Sequence, residues 1–444
     1  MSSVDTVDIA TVTAPIPVVE TRPTLRDTFA ALRAHNYRLY VISQLFASTG
    51  GWMARIAVDW LVLELTGNVA LVGLTITLQF APTLLLGPWA GVLSDRANRR
   101  SVLLVTQSVG TVANGILAAL VLLGWVHVWH VFVVAAVTGA SMAIDGPSRS
   151  AFVGEMVGVG RLRNAIGLNA TIFHLGGLIG PAISGVLIVV IGSGWSIAAN
   201  AVTSGVAVTA LAVMRRRELL PSPRVAPQRG QIREALRYIH SKPTIFWPIV
   251  LLGFNALFGM SRPVLFTSSA DSFGTGAVGY GLYSSLAALG ALTGALLSSM
   301  RRAVRLRSLV IAVILYGGVT AFAGVAPGYP LFLGAVIGIG LSRLIFATAA
   351  ESITQLSTNM AIRGRVMSFY IMVMIGGQAI GGLTMGFIAE HFGTRIAFLV
   401  AGSVPALAGI TVGLILAHRH QLRIRVSLRT PRRLVRIVKV EQPV

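Results

Sequence analysis

The feature that most constrains this chain is the recurrence of long apolar stretches. Twelve of them lie near 39–63, 70–94, 101–124, 127–152, 164–191, 195–214, 244–268, 279–300, 307–325, 329–351, 364–388 and 395–417. A helix needs about 20 residues to cross the hydrocarbon of a bilayer, and each stretch is close to that length. Inside lipid every backbone polar group must bond within the structure, so runs of this length are read as helices. The 444 residues are 54% hydrophobic and only 11% charged, whereas a soluble domain is about 25% charged. The expectation is an all-α integral membrane protein with 12 transmembrane helices.

The positive charge is distributed along the chain in a pattern. Of 36 Lys and Arg, 31 fall in the two terminal segments and the even-numbered junctions between spans. The odd-numbered junctions hold only Arg395, and Arg55, Arg149, Arg262 and Arg343 lie within spans. Basic loops stay on the cytoplasmic side, so both termini are expected there, in a multi-pass protein of the cell (plasma or inner) membrane. Trp125, Trp129 and Trp195 sit at odd junctions, where an interfacial aromatic belt would place them. The net charge of +21 is thereby read as topology rather than as a nucleic-acid surface, since no basic stretch is interleaved with aromatics.

Several chemistries are set aside on composition. There is no Cys, so no disulfide framework. Lys occurs only at 242 and 439, and neither follows a phosphate-binding glycine loop. No cluster with metal-ligand spacing occurs. We therefore expect no cofactor, no metal and no enzymatic activity, and any work must draw on a gradient. The expected partners are a small-molecule substrate, protons and the lipid bilayer, with no nucleic acid, for a monomer. Residues 1–36 lack the apolar core of a signal peptide, and 24–38 read as a short amphipathic surface helix.

The longest internal connection, 215–242, is Pro-rich at 221–227 and amphipathic at 230–240. It divides the chain into an N-terminal segment (1–36), a six-helix bundle (37–214), a linker (215–242), a second bundle (243–417) and a basic tail (418–444). The two halves echo each other. Gly176, Gly180, Gly185 and Gly192 recur as Gly377, Gly381, Gly386 and Gly393 at a constant offset of 201. Met53-x-Arg55 recurs as Met260-x-Arg262, and Gly87-x3-Gly91 as Gly290-x3-Gly294. A duplicated membrane unit is the mark of a two-bundle transporter.

Between spans 2 and 3 the chain reads GPWAGVLSDRANRR, with Gly91, Asp95, Arg96, Arg99 and Arg100. Gly87 and Gly91 would let a neighbouring helix come close, and Asn98 would accept a left-handed turn. The arginines would sit at a helix C-terminus, favoured by the helix dipole. The pattern resembles the loop between helices 2 and 3 of the major facilitator superfamily, where such residues latch the cytoplasmic gate. Span 5 carries Gly167, Gly176, Gly180-Pro181 and Ser184-Gly185. This is similar to that superfamily's antiporter motif, with Ser184 in place of its first paired glycine. Gly146-Pro147-Ser148-Arg149-Ser150-Ala151, Asn164-Ala165-Ile166 and Arg363-Gly364-Arg365 resemble the drug:proton antiporter-3 branch, which includes macrolide and catecholate-siderophore exporters. The resemblance implies two pseudo-symmetric six-helix bundles.

Charges inside the membrane are rare and functional by default. Arg55 and Asp59 are four apart and read as an intrahelical pair, as do Asp145 and Arg149. These four are the proton-coupling candidates. Asp145 is favoured, because the adjacent Gly146-Pro147 can yield and it lies beside the branch motif. Arg262 and Arg343 are the candidates for the substrate cavity. His174 is expected to be a neutral histidine bonded across helices. The functional expectation is proton-coupled export of small, largely apolar drug- or siderophore-like compounds. An uptake symporter of the same fold and a non-transporting membrane scaffold are the alternatives.

Overall fold

A computed structural model describes residues 29–220, 231–300, 305–359, 362–419, 422–426 and 435–439; side chains at 88, 91–96, 159, 163, 231–235 and 419 onward are outside the description. The N-terminal segment to residue 28, the Pro-rich part of the linker and the basic residues at 301–302 therefore lie outside it.

The long helices are α1 (His35–Thr66), α2 (Val69–Arg96), α3 (Arg99–Leu122), α4 (Val128–Val157), α5 (Val159–Ile191) and α6 (Ser193–Val213). After the amphipathic α7 (Gln231–Ser241) come α8 (Pro243–Phe254), α9 (Arg262–Ser272), α10 (Gly276–Ser299), α11 (Leu306–Val325), α12 (Tyr329–Leu356), α13 (Arg363–Phe392) and α14 (Thr394–Arg419). Strands β1 (Leu422–Val426) and β2 (Val435–Lys439) form a small antiparallel ribbon in the tail, which the sequence reading did not anticipate.

Among the described residues eleven spans are long and apolar enough to cross a membrane, α8 and α9 together making one of them. Helix α1, with 32 residues, has the length of a twelfth but holds Ser43, Gln44, Arg55 and Asp59 within it. Instead of a surface helix at 24–38, the described part shows a short 3-10 turn, Ala30–Arg33, leading directly into α1.

The internal repeat reappears as geometry. Gly176 packs on Ser48 and Thr49 of α1, and Gly180 on the Thr49 carbonyl, while Gly185 faces Ala277 and Gly281 of α10 in the other bundle. In the second half Gly377 and Gly381 face Ala256 and Leu257, and Gly386 faces Ala70 and Gly73 of α2 across the divide. Gly192 and Gly393 end α5 and α13 at φ 91° and 86°, a region where only glycine is unstrained.

The core is unequal at the two ends of the bundles. At the end with few basic residues one apolar cluster runs through both bundles, from Ile56 and Val72 to Val264, Tyr280 and Met385. At the basic end it divides. Tyr37, Leu103, Phe152 and Met156 form one cluster, and Ile249, Leu309, Phe346 and Val366 form another. Among the described residues, the apolar core is continuous across the bundles at one end and divided between them at the other.

The joined end rests on backbone-to-backbone contact. A Cβ on Gly73 would lie 2.2 Å from the Gly382 carbonyl oxygen, and one on Gly281 would lie 2.4 Å from that of Pro181. Small residues allow this approach, and in lipid such close packing takes the place of hydrophobic attraction. Gly87, expected to serve this purpose, has nothing within 4 Å, because α2 meets the other bundle at its opposite end. Gly290 and Gly294, its sequence echo, pack on Ile337 and Leu341 of α12 instead.

Gly73→Leu should therefore force the joined end apart, at an overpacking cost of about 1–3 kcal/mol. Spin labels at Trp125→Cys and Phe273→Cys should report a longer distance in that variant by pulsed electron resonance. An unchanged distance with an unchanged melting temperature would refute this account of the contact.

Candidate substrate path between the bundles

The loop after α2 is built differently from its sequence reading. Asn98 has φ −69° and is not left-handed; its side-chain oxygen accepts from the Ser101 amide 3.2 Å away, capping α3. Arg99 and Arg100 begin α3 rather than ending α2. Arg100 is buried and donates to the carbonyls of Leu211 and Ala212 at 2.8 and 2.7 Å. The helix C-terminus it neutralises is that of α6. Arg99 pairs with Glu155 of α4 at 2.6 Å. Both arginines thus brace the basic end of the first bundle. The side chains of Asp95 and Arg96 lie outside the described residues.

The span-5 motif divides its work. Gly176, Gly180 and neighbouring Gly177 lie against α1, whereas Gly185 and the Pro181 carbonyl lie against α10. Ser184 is fully buried; its hydroxyl donates to the Met53 carbonyl at 2.9 Å and lies 3.2 Å from the Ser196 hydroxyl, tying α5 to α1 and α6. Gly167, nearer the parted end, has open space around it.

Of the two expected intrahelical pairs, one forms. Arg149 donates to Asp145 at 2.7 Å, with further bonds to Gln44 and Tyr40. Gln107 and Thr106 bond the other oxygen of Asp145 at 3.1 and 3.3 Å. The expected Arg55–Asp59 pair does not form. Asp59 is fully buried and accepts from Tyr280 of the opposite bundle at 2.7 Å, and its second oxygen has no partner. Arg55 instead lies over the rings of Trp52 and Phe80, at 5.6 and 5.3 Å. Further bonds across the divide run from the Val69 amide, at the start of α2, to Glu390 of α13 at 2.6 Å, from the Thr77 hydroxyl to the Ala379 carbonyl at 2.6 Å and from the Ser285 hydroxyl to the Leu178 carbonyl at 2.8 Å.

Arg262 and Arg343 are half-buried, and the Nε of each is buried without a partner. Arg262 lies within electrostatic reach of Arg343 and of Arg55 in the first bundle. His174 of α5 lies within reach of Arg343. No hydrogen bond from the His174 ring is found among the described residues, contrary to expectation; the ring stands edge-on to Phe173 at 5.8 Å. The groups thus converge from both bundles on the space between them. Tyr280, Glu390 and Tyr316 were not singled out from the sequence. Only Tyr316 had a possible signal: Pro263 deprives the Gly259 carbonyl of its helical donor, and the Tyr316 hydroxyl supplies one.

A sequence profile described as transmembrane secretion effector matches residues 26–436. An enterobactin exporter of Citrobacter koseri is 26% identical over 86% of this chain and 90% of its own length. Macrolide efflux protein A of Streptococcus pyogenes is 22% identical over 79% of this chain and 88% of its own. A staphyloferrin A transporter of Staphylococcus aureus matches more locally, 25% identical over 34% of this chain and 39% of its own. Among solved structures, an inward-facing, occupied bacterial homologue of the lysosomal transporter Spinster has TM-score 0.69 at 14% identity, covering 86% of this chain and 97% of that one. A D-xylose–proton symporter has TM-score 0.67 at 14% identity, covering 85% and 96%. At such identities the structures attest the fold, and the profile match attests the lineage. The chain belongs to the transmembrane secretion effector family of major facilitator superfamily transporters.

Proposed function

We propose that this transporter exports small drug- or siderophore-like compounds by alternating access, driven by protons moving inward. The observation that carries the reading is the unequal core, one cluster at one end and two at the other. With basic junctions on the cytoplasmic side, the parted end opens to the cytoplasm, and both termini lie there. A central space open to the cytoplasm can load a compound from inside the cell. The named relatives, an enterobactin exporter and a macrolide efflux protein, support the outward direction.

The division into two bundles, a linker and a tail is the mechanical framework of this reading. Asp95, Arg96 and Gly91 would engage when the parted end closes, with Arg99 and Arg100 holding the rim of the first bundle rigid. Gly167 would gain its neighbour in that same state.

The coupling acid in this reading is Asp59 rather than Asp145. Asp145 is held by Arg149, Gln107 and Thr106 within its own bundle, so little about it changes when the bundles move. Asp59 is bonded to Tyr280 of the other bundle, so opening the joined end breaks its one bond and admits water. A buried carboxylate in lipid is costly unless paired or neutralised, which links its proton to the position of the bundles. Arg55 and Tyr280 are the groups facing it. One proton crossing about 100 mV releases roughly 2.3 kcal/mol, enough for a gradient of roughly fortyfold before any pH difference is added.

Labelling and vesicle transport check the proposal. Cysteines at Asp271 and Arg217 should be labelled by an impermeant thiol reagent from the outside and the inside of intact cells, respectively; the reverse pattern would overturn the orientation. In everted vesicles, uptake of radiolabelled enterobactin or erythromycin should collapse on adding an uncoupler. Asp59→Asn should abolish that uncoupler-sensitive part while leaving counterflow within about twofold, an effect under about 0.5 kcal/mol. Asp145→Asn should mainly lower the melting temperature. Full uncoupler sensitivity in Asp59→Asn would remove Asp59 from the coupling step.

A further inference from the structure

Helix 7 of the twelve-span order is broken in the middle of the membrane. It runs as α8 to Phe254, continues as a π-helix over Asn255–Gly259, and restarts as α9 at Arg262. The cause is local. Pro263 has no amide hydrogen to give the Gly259 carbonyl four residues earlier, and the Tyr316 hydroxyl of α11 donates to it instead. A restarted helix presents a new N-terminus, the positive end of its dipole, inside the membrane. π-helical insertions of this kind concentrate at functional sites.

The break is lined by polar atoms that have no hydrogen-bond partner among the described residues. Ser261 is fully buried and Asn255 is 2% exposed, yet the Ser261 Oγ and Asn255 Oδ1 have no hydrogen-bond partner. The Nε atoms of Arg262 and Arg343 are in the same condition. Arg262 lies within electrostatic reach of Arg343 and of Arg55 from the first bundle. None of the three arginines is among the ion pairs of the described residues, which are Arg99–Glu155, Arg149–Asp145 and Arg215–Glu218. The carboxylate that faces Arg55, that of Asp59, has its hydrogen bond with Tyr280. Arg55 and Arg262 are also counterparts in the internal repeat, each two residues after a methionine in the first span of its bundle.

Three guanidinium groups within electrostatic reach of one another, with the single carboxylate of Asp59 facing Arg55, carry an excess of positive charge in a low-dielectric space. Such an arrangement is stable and useful only if a negative group completes it. Guanidinium suits oxyanions in particular, because its planar fork can donate two parallel bonds to a carboxylate or phosphate. A half-helix N-terminus at the centre of a transporter is suited to the same charge. We propose that Arg55, Arg262 and Arg343, together with the N-terminus of α9, form a binding site for an anionic oxygen group of the transported molecule, such as a carboxylate or a phosphate. The inference rests on the transport reading for its role but not for its chemistry. The apolar parts of the same molecule lie against Trp52 and Phe80. One arginine from each repeat lets the anion stay bound while the bundles rock around it. Exit of an anion from a negative cell interior is also favoured electrically, adding to the proton drive.

The test is equilibrium binding to the full chain in nanodiscs of phosphatidylcholine, which needs no gradient. The probes are radiolabelled citrate and inorganic pyrophosphate, with tetraphenylphosphonium as the cationic control. At least one anion should bind saturably and be displaced by the other, while the cation neither binds the site nor competes. Arg262→Gln and Arg343→Gln should weaken binding at least tenfold, Arg262→Lys should weaken it less, and Arg305→Gln, at the basic surface, should leave it unchanged. Melting temperatures in each case separate lost binding from lost folding, and should Arg262→Gln not fold, the lysine variant and the wild-type competition carry the test. Displacement of the anions by phosphatidylglycerol in the disc but not by each other would assign the site to lipid and overturn the proposal, as would the absence of saturable anion binding. Anion binding that persists when vesicle transport proves insensitive to an uncoupler would sink the coupling reading and leave this site standing. Transport of erythromycin that continues without any anion binding would do the opposite.

Discussion

The structure depends on a contact between glycines. Where α2 meets α13 and α5 meets α10, carbonyl oxygens of one helix occupy the space that side chains of the other would fill. Lipid offers no hydrophobic force to drive two helices together, so what holds them is close van der Waals contact and whatever hydrogen bonds cross the seam. Four such bonds are seen among the described residues: Tyr280 to Asp59, the Val69 amide to Glu390, Thr77 to the Ala379 carbonyl and Ser285 to the Leu178 carbonyl. No ion pair among the described residues crosses it. A seam of this kind is tight while closed and leaves few uncompensated charges when it opens, which suits a joint that must do both.

The buried charges fall into two groups. Arg99, Arg100 and Arg149 are each bonded within the first bundle, to Glu155, to the end of α6 and to Asp145. They fix that bundle as one body, and removing one partner of such a pair leaves a charge stranded, at a cost of about 3–5 kcal/mol. Arg55, Arg262 and Arg343 form no ion pair among the described residues, and Arg262 lies within electrostatic reach of Arg343 and, across the divide, of Arg55. Stability alone gives no reason to keep cations there, so their presence points to what passes between the bundles.

The relatives place the same lineage around this frame at identities of 22–26% over most of the chain. Solved transporters keep the frame itself at 13–14%. Function in such a superfamily resides in a few side chains on a common scaffold. In the reading proposed above those side chains come from α1, α9, α10 and α12, and α9 begins where its span is interrupted.

Spans, basic asymmetry and internal repeat were legible in the sequence because each is a property of one segment or of a constant offset. Helix length follows from bilayer thickness, and Gly176–Gly185 against Gly377–Gly386 is visible as a spacing. The Asp145–Arg149 pair was legible too, since four residues along a helix bring two side chains together whatever surrounds them. The same spacing gave the wrong answer at Arg55 and Asp59. There Tyr280, far away in the chain, offers the carboxylate a hydroxyl, and Trp52 and Phe80 offer the guanidinium two aromatic faces. Arg100 likewise reaches another helix's C-terminus, and Asn98 caps where a left-handed turn was expected. What the sequence determined by itself was which segments lie in the membrane and how they repeat. Which end is joined, and which charges lack partners, was decided only by tertiary packing, because both depend on groups that come together from opposite bundles.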